Sequence, residues 1–362
     1  MNILIDIGHP AHVHLFRNFY HVMESRGHTM FVTVKDIPSA KELLTIYNMP
    51  FIDLGAKKDS IFGKGLNQLV YDWKLLQLVR KNRIDIGLSS SITIPHISRF
   101  SRIVSMVYDD DDDAAEPLFV KFGHPFSDYV FTPDAIRRKT TKNIPYPGYH
   151  ELAYLHPNRF SPDPAILDEL GVKPGEKYFI LRFVAFKGHH DLGMSGLTPE
   201  NKQMLVDLLE PHGKIFITAE RQIEPELEKY RIRIAPEKIH SALAYASLFV
   251  GDSQTMTSEA AILGTPAVKC NTFAQKLSVP NEIEHRYDMC YSFQPYEFDK
   301  VLVKVKDLLA MPDIKSTWNE RRNVLFNDKI DVSSFMIRMV EGYPAGIDAL
   351  KQDPEMMQQF KG

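Results

Sequence analysis

The segment Leu248–Val268, LFVGDSQTMTSEAAILGTPAV, contains a complete strand–loop–helix–strand unit. Its apolar start predicts a strand over Leu248–Val250, and a small polar loop follows. A helix is expected over Thr257–Leu263, and a Gly-Thr-Pro sequence ends it before a second strand at Ala267–Lys269. A helix between two short strands is typical of a βαβ unit, in which the strands are parallel.

The loop of this unit carries groups that suit an anion. Ser253 and Thr255 bring hydroxyls, and Gln254 an amide, to the start of a helix. Unpaired backbone N–H groups and the helix dipole favour a diphosphate there. Glu259, expected in the first turns of the helix, could accept hydrogen bonds from ribose hydroxyls. The alternative is structural, with Asp252 and Ser253 capping the helix and Glu259 answering its dipole.

The same alternation of strands and helices runs through both halves of the chain. Further strands are predicted at Asn2–Ile7, Thr29–Val34, Phe51–Leu54, Ile84–Leu88, Ile103–Tyr108, Tyr129–Phe131, Tyr178–Phe183 and Lys214–Thr218. A stretch rich in proline, from Pro145 to Pro164, is interpreted as a linker. We therefore predict an α/β protein with two Rossmann-like domains, residues 1–150 and 151–335, parallel sheets and a cleft between the domains. A helical tail is expected over residues 336–362.

Composition excludes several classes of protein. At roughly 150 residues per domain, 362 residues suit two domains. A hydrophobic content of 44% and a net charge of −3 exclude extensive disorder and argue against a dedicated nucleic-acid-binding protein. The two cysteines lie beside apolar runs and are expected to be reduced thiols. Without a signal-peptide pattern or a stretch of ~20 apolar residues, a cytoplasmic protein with no transmembrane segment is predicted.

The loop described above resembles a known binding element. The pattern D-S-x-x-x-x-x-E-A-x-x-x-G-x-P, which starts at Asp252, is similar to the donor-binding element of the GT-B superfamily. It resembles non-hydrolysing UDP-N-acetylglucosamine 2-epimerases and, more loosely, MurG-type N-acetylglucosaminyltransferases. The resemblance implies that Ser253 and its neighbours hold the diphosphate and that Glu259 holds the ribose. Gln254 and Thr255 stand where the epimerases have two glycines, which favours sugar transfer over epimerisation.

A second similarity lies at the N-terminus. Gly8 and His9 follow the first predicted strand, as a Gly-His loop does in MurG-like transferases, and His12 matches the histidine of that family. An imidazole in a strand-to-helix loop is also, by its chemistry, a candidate general base or hydrogen-bond donor to phosphate. Alternatively, His9 and His12 bind the loop backbone. A metal site including His14 is disfavoured, because His12 and His14 do not share a helix face.

An acidic turn of five consecutive aspartates, Asp109–Asp113, follows the predicted strand Ile103–Tyr108. Adjacent carboxylates raise one another's pKa or recruit a cation, although such a run is often a solvated surface loop. In the 2-epimerases, catalytic acids occupy loops in this part of the first domain. The resemblance therefore makes Asp109, Asp113 and Glu116 candidate acids or bases.

Two basic segments could contact anions. Arg182 lies near the end of the strand Tyr178–Phe183, which leads into the basic and histidine-containing segment 187–191. Arg182 could bind phosphate oxygens in a bidentate manner or form a structural ion pair. The cluster Arg137-Arg138-Lys139 is predicted to be plain surface, with contact to an anionic acceptor or a membrane face as the alternative.

Over its whole length the chain resembles a prokaryotic family known only as a domain of unknown function with GT-B-like architecture. The stretches GHPAHVHLFRN and YPGYHELAYLHPNRFSPD carry this resemblance together with the donor loop. Membership of that family implies no established activity. The donor-loop and N-terminal resemblances imply a glycosyltransferase in cell-surface glycan or polysaccharide synthesis that uses a nucleotide sugar, preferably UDP-linked, and a glycan or lipid-linked acceptor. The alternatives are an epimerase-like enzyme and a non-catalytic nucleotide-sugar-binding protein. No metal, further cofactor or nucleic acid is expected.

Overall fold

The computed structural model describes residues 1–55, 61–138, 140–184, 196–219 and 222–361, with the backbone alone for residues 61–67. The chain divides into two compact units. The first unit comprises Met1–Arg159 together with Lys329–Gly362, and the second comprises Phe160–Asp328. None of the described helices has both the length and the apolar character needed to cross a membrane.

The first unit is built on a seven-stranded parallel sheet in the order β3-β2-β1-β4-β5-β6-β7. Its strands are β1 (Asn2–Ile7), β2 (Thr29–Val34), β3 (Ile52–Asp53), β4 (Ile86–Ser89), β5 (Val104–Tyr108), β6 (Tyr129–Pro133) and β7 (Asn143–Tyr146). The helices that follow them are α1 (Pro10–Ser25), α2 (Pro38–Ile46), α3 (Ile61–Asn82), α4 (Thr93–Ser98), α5 (Pro117–Phe122) and α6 (Leu152–Leu155). Ile3 to Ile7 of the interior strand β1 are fully buried, as expected for a parallel sheet covered on both faces.

The second unit contains a five-stranded parallel sheet in the order β12-β11-β10-β8-β9. Its strands are β8 (Tyr178–Phe183), β9 (Lys214–Ala219), β10 (Leu248–Gly251), β11 (Ala267–Cys270) and β12 (Cys290–Phe293). Its helices are α7 (Ala165–Glu169), α8 (Pro199–Leu209), α9 (Ile239–Tyr245), α10 (Gln254–Ile262), α11 (Ser278–His285), α12 (Phe298–Ala310) and α13 (Ile314–Asp328). Phe179, Val250 and Trp318 are among the residues of its continuous apolar core.

The C-terminal segment belongs to the first unit. The sequence predicts instead that residues 151–335 form the second domain and that residues 336–362 form a separate tail. This segment forms α14 (Val332–Glu341) and α15 (Ala345–Gln352), and α14 packs against α1 and α6. The Ser333 hydroxyl donates a hydrogen bond of 2.7 Å to the Ala153 carbonyl, and Arg159 lies 2.8 Å from the Asp331 carboxylate. The domain boundaries therefore differ from the predicted ones because the chain returns to its first unit.

The predicted linker also differs from the structure. Its first part forms the edge strand β7 and the short helix α6, and Tyr146, Tyr149 and Leu152 are fully buried. Pro145 is tolerated in β7 because an edge strand does not need every backbone donor. Proline content marks the place where regular pairing stops, but it does not show that these side chains pack into the core.

Each sheet has a switch point, on either side of which the chain adds its successive strands in opposite directions. This switch point lies between β1 and β4 in the first unit and between β8 and β10 in the second. Ligands of open parallel sheets bind outside the carboxyl ends of the strands near such a point. The loop after β1, the end of β8 and the loop after β10 contain the histidine, arginine and polar-loop candidates predicted from the sequence.

Candidate functional site

The end of β8 and the loop after β10 lie side by side in the second unit. Gly251 pairs in register with Arg182, and a Cβ atom at Gly251 would lie 2.6 Å from the Arg182 carbonyl oxygen. A side chain at position 251 would therefore force the two strands apart. The Arg182 side chain donates a hydrogen bond of 3.0 Å to the Thr218 hydroxyl of β9. The glycine thus permits the close approach that places Arg182 beside the polar loop.

Helix α10 begins at Gln254, three residues earlier than predicted. Ser253 is its N-cap, and the Ser253 hydroxyl accepts a hydrogen bond of 3.3 Å from the Met256 N–H. The predicted capping role of Ser253 is therefore observed. Gln254 and Thr255 form the first turn, where backbone N–H groups lack partners within the helix. The loop thus has the anion-accepting geometry of a capped helix start.

Asp252 does not share the cap, in contrast to the structural alternative stated above. Its carboxylate accepts hydrogen bonds from the Val184 N–H at 2.7 Å and the Leu197 N–H at 3.4 Å. Burial raises the pKa of Asp252 to about 6, although these backbone donors act to lower it. Asp252 therefore bonds to the backbone at both Val184 and Leu197. The predicted basic segment 187–191 lies outside the described residues.

Gln254 carries the clearest unmet hydrogen-bonding capacity of this loop. Both side-chain amide atoms of Gln254 are buried, and neither has a hydrogen-bond partner in the described part of the chain. Buried amide groups without partners are costly and are normally satisfied by protein, water or ligand. The amide therefore offers a donor and an acceptor to a ligand at the start of α10.

Glu259 is the sixth residue of α10, rather than a first-turn residue, because the helix starts early. Its side chain is buried, and its Oε1 atom lies 3.0 Å from Nε2 of His240 on α9. The Phe160 ring packs edge-on against the His240 ring, with 6.0 Å between the centroids. His240 therefore fixes the orientation of the Glu259 carboxylate. The ribose contact stays a prediction.

The histidines after β1 bond to the loop backbone, as one of the predicted alternatives required. His9 is the N-cap of α1, and its Nδ1 atom accepts a hydrogen bond of 3.2 Å from the Ala11 N–H. The Gly8 N–H donates to Nδ1 of His12 at 3.2 Å, which leaves the proton of the neutral imidazole on Nε2. Burial, with smaller contributions from His9 and His150, lowers the pKa of His12 to about 3. At neutral pH, His12 is therefore suited to donating a hydrogen bond rather than accepting a proton.

Arg138 lies in the interior of the first unit and corrects the interpretation of its cluster as plain surface. The Arg138 side chain is only 2% exposed, and its Nη1 atom donates to the Asp109 carboxylate at 2.7 Å. The Asp111 carbonyl accepts a hydrogen bond of 2.6 Å from Nη2, and the Asp113 carboxylate lies 2.8 Å from Nε. Arg137 is exposed, and Lys139 lies outside the described residues. Arg138 thus holds the acidic turn together.

The predicted acidic candidates occupy different environments. Asp109 is buried and lies 2.7 Å from Nε2 of His124, in addition to its contact with Arg138. Asp113 is half-exposed and forms an ion pair with Arg138. Glu116 immediately precedes α5, and its N–H donates to the Asp112 carbonyl at 3.3 Å. The contacts of Asp109 and Asp113 are those of structural ion pairs, and the catalytic roles of all three stay predictions.

An Asp–His pair that the sequence analysis did not select lies beside His12. Oδ1 of Asp110 is 3.1 Å from Nδ1 of His150, which follows β7. The Asp110 side chain is 39% exposed, whereas His150 is 8% exposed. Partial burial opposes ionisation of Asp110, but the charge and hydrogen bond of His150 outweigh it and lower the pKa of Asp110. No local signal in the sequence indicates that His150 meets a residue 40 positions earlier.

Asp111 differs from Asp110 in its ionisation. Burial and the neighbouring carboxylates, Asp110 first, raise the pKa of Asp111 well above its ordinary value. Oxygen atoms of Asp109, Asp110 and Asp111 lie within 4.8 Å of one another, a spacing that could hold a cation. However, Arg138 already supplies positive charge at Asp109. The turn therefore presents an ionised carboxylate beside a carboxyl group that favours its proton.

The fold is that of the GT-B proteins, as predicted. The S. aureus MnaA structure with UDP matches with a TM-score of 0.66 and 11% identity, covering 96% of this chain and 98% of that one. The Methanocaldococcus jannaschii UDP-GlcNAc 2-epimerase, solved with UDP-GlcNAc and UDP, matches with a TM-score of 0.61 and 12% identity. The match covers 90% of this chain and 100% of that one. The spinosyn forosaminyltransferase SpnP matches with a TM-score of 0.63 and 15% identity, and the match covers 91% of this chain and 95% of that one.

The chain belongs to the family described as "Protein of unknown function (DUF354)", whose model matches residues 1–332. This match confirms the whole-chain resemblance found in the sequence. A curated relative, the uncharacterized protein MJ0665 of Methanocaldococcus jannaschii, is 23% identical over 283 residues, which are 75% of this chain and 82% of the relative. The family gives no activity, so the function has to be argued from the sites.

Proposed function

We propose that this chain is an enzyme that binds a UDP-linked sugar through its second unit and transfers the sugar to an acceptor. The observation that carries this proposal is the start of α10. A capped helix start, the unpartnered amide of Gln254 and the adjacent Arg182 offer several donors to a diphosphate. The MnaA protein and the archaeal epimerase, which share the fold, were solved with UDP.

Sugar transfer breaks the bond between the anomeric carbon and the diphosphate oxygen. Negative charge develops on that oxygen, and preorganised N–H donors lower the barrier by stabilising it. The acceptor hydroxyl attacks the anomeric carbon and loses its proton to a base. We assign this base to Asp110 rather than His12, because Nδ1 of His12 accepts from Gly8 and its pKa is lowered to about 3.

Epimerisation is a second candidate, which one observation favours. Asp110 and Asp111 are adjacent, and their environments shift their pKa values in opposite directions. Such a pair can act as base and acid. In an epimerase, the base removes the C2 proton while the C1–O bond to UDP breaks. The acid then returns a proton to the other face of C2 as UDP adds back.

Incubation of the purified chain with UDP-N-acetylglucosamine separates these reactions. Transfer predicts that UDP is released only when a glycan or lipid-linked acceptor is added. Epimerisation predicts a UDP-sugar isomer without an acceptor and without net release of UDP. Thermal stabilisation by the nucleotide sugar without either reaction would indicate a non-catalytic binding protein. Absence of stabilisation by every nucleotide and nucleotide sugar tested would contradict the proposal.

A further inference from the structure

Three buried polar atoms lie at the carboxyl edge of the first sheet without a hydrogen-bond partner among the described residues. They are Nε2 of His150 and the hydroxyl oxygens of Tyr108 and Tyr146. Both tyrosines are fully buried and end the strands β5 and β7. Buried polar groups are normally satisfied by protein, water or ligand, because leaving them without a partner is costly. A group of three such atoms therefore points to a polar ligand.

A second Asp–His pair in the same unit shows what a purely structural pair looks like. Nδ1 of His96 lies 2.9 Å from the Asp72 carboxylate, and Nε2 lies 2.9 Å from the Phe122 carbonyl oxygen. Both ring nitrogens of His96 are therefore satisfied within the protein. His150 has the same first contact, to Asp110, but its second nitrogen has none. The two histidines therefore differ at Nε2, which has a hydrogen-bond partner among the described residues in His96 but not in His150.

The surroundings of His150 determine what this nitrogen can offer. Burial acts to lower the pKa of His150, but Asp110, Glu151 and Asp109 outweigh it and raise the pKa above its usual value. Two further titratable groups lie near the ring: Asp111, whose raised pKa favours its protonated form, and His12, whose lowered pKa keeps it neutral near pH 7. The raised pKa favours the imidazolium form of His150, in which Nε2 carries a proton that it can donate in a hydrogen bond.

The backbone around His150 fixes the direction of this donor. His150 lies between β7 and α6, and the flanking Tyr149 and Leu152 are fully buried. The Asp110 carboxylate binds Nδ1 and so orients the ring, as the carboxylate does in catalytic Asp–His pairs. A donor whose ring is already oriented costs little reorganisation when a ligand binds.

We propose that His150, oriented by Asp110, is a catalytic residue that donates a hydrogen bond to an oxygen atom of the sugar carried by the nucleotide. The hydroxyls of Tyr108 and Tyr146 supply further polar contacts to the same saccharide. This inference rests on the proposed function and names the residue that recognises the sugar rather than the nucleotide. No bond to hydrogen is broken in this role, because His150 keeps its proton throughout.

The test compares His150→Leu with the matched control His96→Leu, both in the full chain. Calorimetry with UDP-N-acetylglucosamine and with UDP measures the two affinities. A hydrogen bond from a charged donor contributes ~1.5–3 kcal/mol, which corresponds to a loss of about 10- to 100-fold. We expect that loss for UDP-N-acetylglucosamine in His150→Leu, with the affinity for UDP unchanged. His96→Leu should leave both affinities within about twofold of the wild type.

A milder variant keeps the test informative if His150→Leu fails to fold. In Asp110→Asn, the pKa of His150 falls because its main ionic partner is removed. The decline of UDP-N-acetylglucosamine affinity with rising pH, which follows loss of the His150 proton, should then begin at a lower pH than in the wild type. An unchanged pH profile in Asp110→Asn would overturn the inference.

The remaining outcomes separate this inference from the proposed function. If the wild type binds neither UDP nor UDP-N-acetylglucosamine, the proposed function fails and the inference fails with it. If the wild type binds both and His150→Leu binds both equally well, only the inference fails. Equal losses in His150→Leu and His96→Leu would also overturn it, because the effect would then be a general consequence of losing a buried histidine.

Discussion

The carboxyl edges of the two parallel sheets carry different chemistry. In the first unit, loops after different strands bring together buried or half-buried ionisable groups, with Asp109 bound to Arg138 and Asp110 to His150. In the second unit, the helix start at Ser253 presents hydroxyl, amide and backbone groups, and the nearby carboxylate of Glu259 is held by His240. Similar frameworks therefore carry clustered ionisable side chains in one unit and a capped, polar helix start in the other.

The largest expected effect is the difference in stability between losing a buried carboxylate and losing an exposed one in the acidic turn. Asp109→Ala removes the buried partner of Arg138 and His124, and loss of one member of a buried ion pair costs ~3–5 kcal/mol. Asp113→Ala also removes a contact to Arg138, but this carboxylate is 50% exposed, and we expect a cost below ~1 kcal/mol. Chemical denaturation of both variants measures the difference. Equal stabilities would show that the turn is not held together by Asp109.

A pH-dependent effect of intermediate size is expected from His12. Its pKa is lowered to about 3 in the folded chain and is ordinary, ~6.5, in the unfolded chain. Below pH 6.5 the unfolded chain binds a proton that the folded chain does not, so His12 makes stability fall as the pH falls. At ~1.4 kcal/mol per pH unit, the loss between pH 6.5 and pH 5 is about 2 kcal/mol.

Denaturation curves at pH 7 and pH 5 for the wild type and His12→Gln test this effect. The variant should lose less stability on acidification than the wild type. If the two proteins lose the same amount, His12 is not held neutral by its surroundings. The donor role assigned to it would then lose its support.

The smallest expected effect lies in the second unit, where capping and ligand binding can be separated. Ser253→Ala removes the N-cap of α10 and should cost ~1 kcal/mol of stability as well as UDP affinity. Thr255→Val changes a side chain that does not cap the helix, so stability should stay within ~0.5 kcal/mol while UDP affinity falls. Thermal melts and UDP titrations of both variants provide the measurement. Wild-type affinity in both would exclude these hydroxyls from diphosphate binding.

Much of the fold could be predicted because buried parallel strands leave short apolar runs between helical segments. The strands Asn2–Ile7, Thr29–Val34 and Tyr178–Phe183 were predicted with the bounds that the structure gives. The return of α14 to the first unit could not be predicted in this way. Its packing against α1 depends on contacts between the two ends of the chain, which local periodicity does not record.

The sites show the same division between local and distant information. The helix start at Ser253 has a local signature, because a capping residue and its partner lie three positions apart. The pairing of Asp110 with His150 and the burial of Arg138 depend on loops that meet only in the folded unit. A basic cluster and an acidic run look like two solvated surfaces in the sequence, but in the structure they form one network.

The central claim, that the second unit binds a nucleotide diphosphate, is tested most directly at Glu259, the predicted ribose contact. Calorimetric titration of UDP into the wild type, Glu259→Gln and the control Glu284→Gln tests it directly. Glu284 is a glutamate of the same unit that accepts a hydrogen bond from the Ser292 N–H at 3.2 Å. If Glu259 accepts ribose hydroxyls, its charge-assisted bonds contribute ~1.5–3 kcal/mol each, and Glu259→Gln should bind UDP at least about tenfold more weakly. Glu284→Gln should match the wild type, whereas equal UDP affinity in all three proteins, or none in any, would contradict the account.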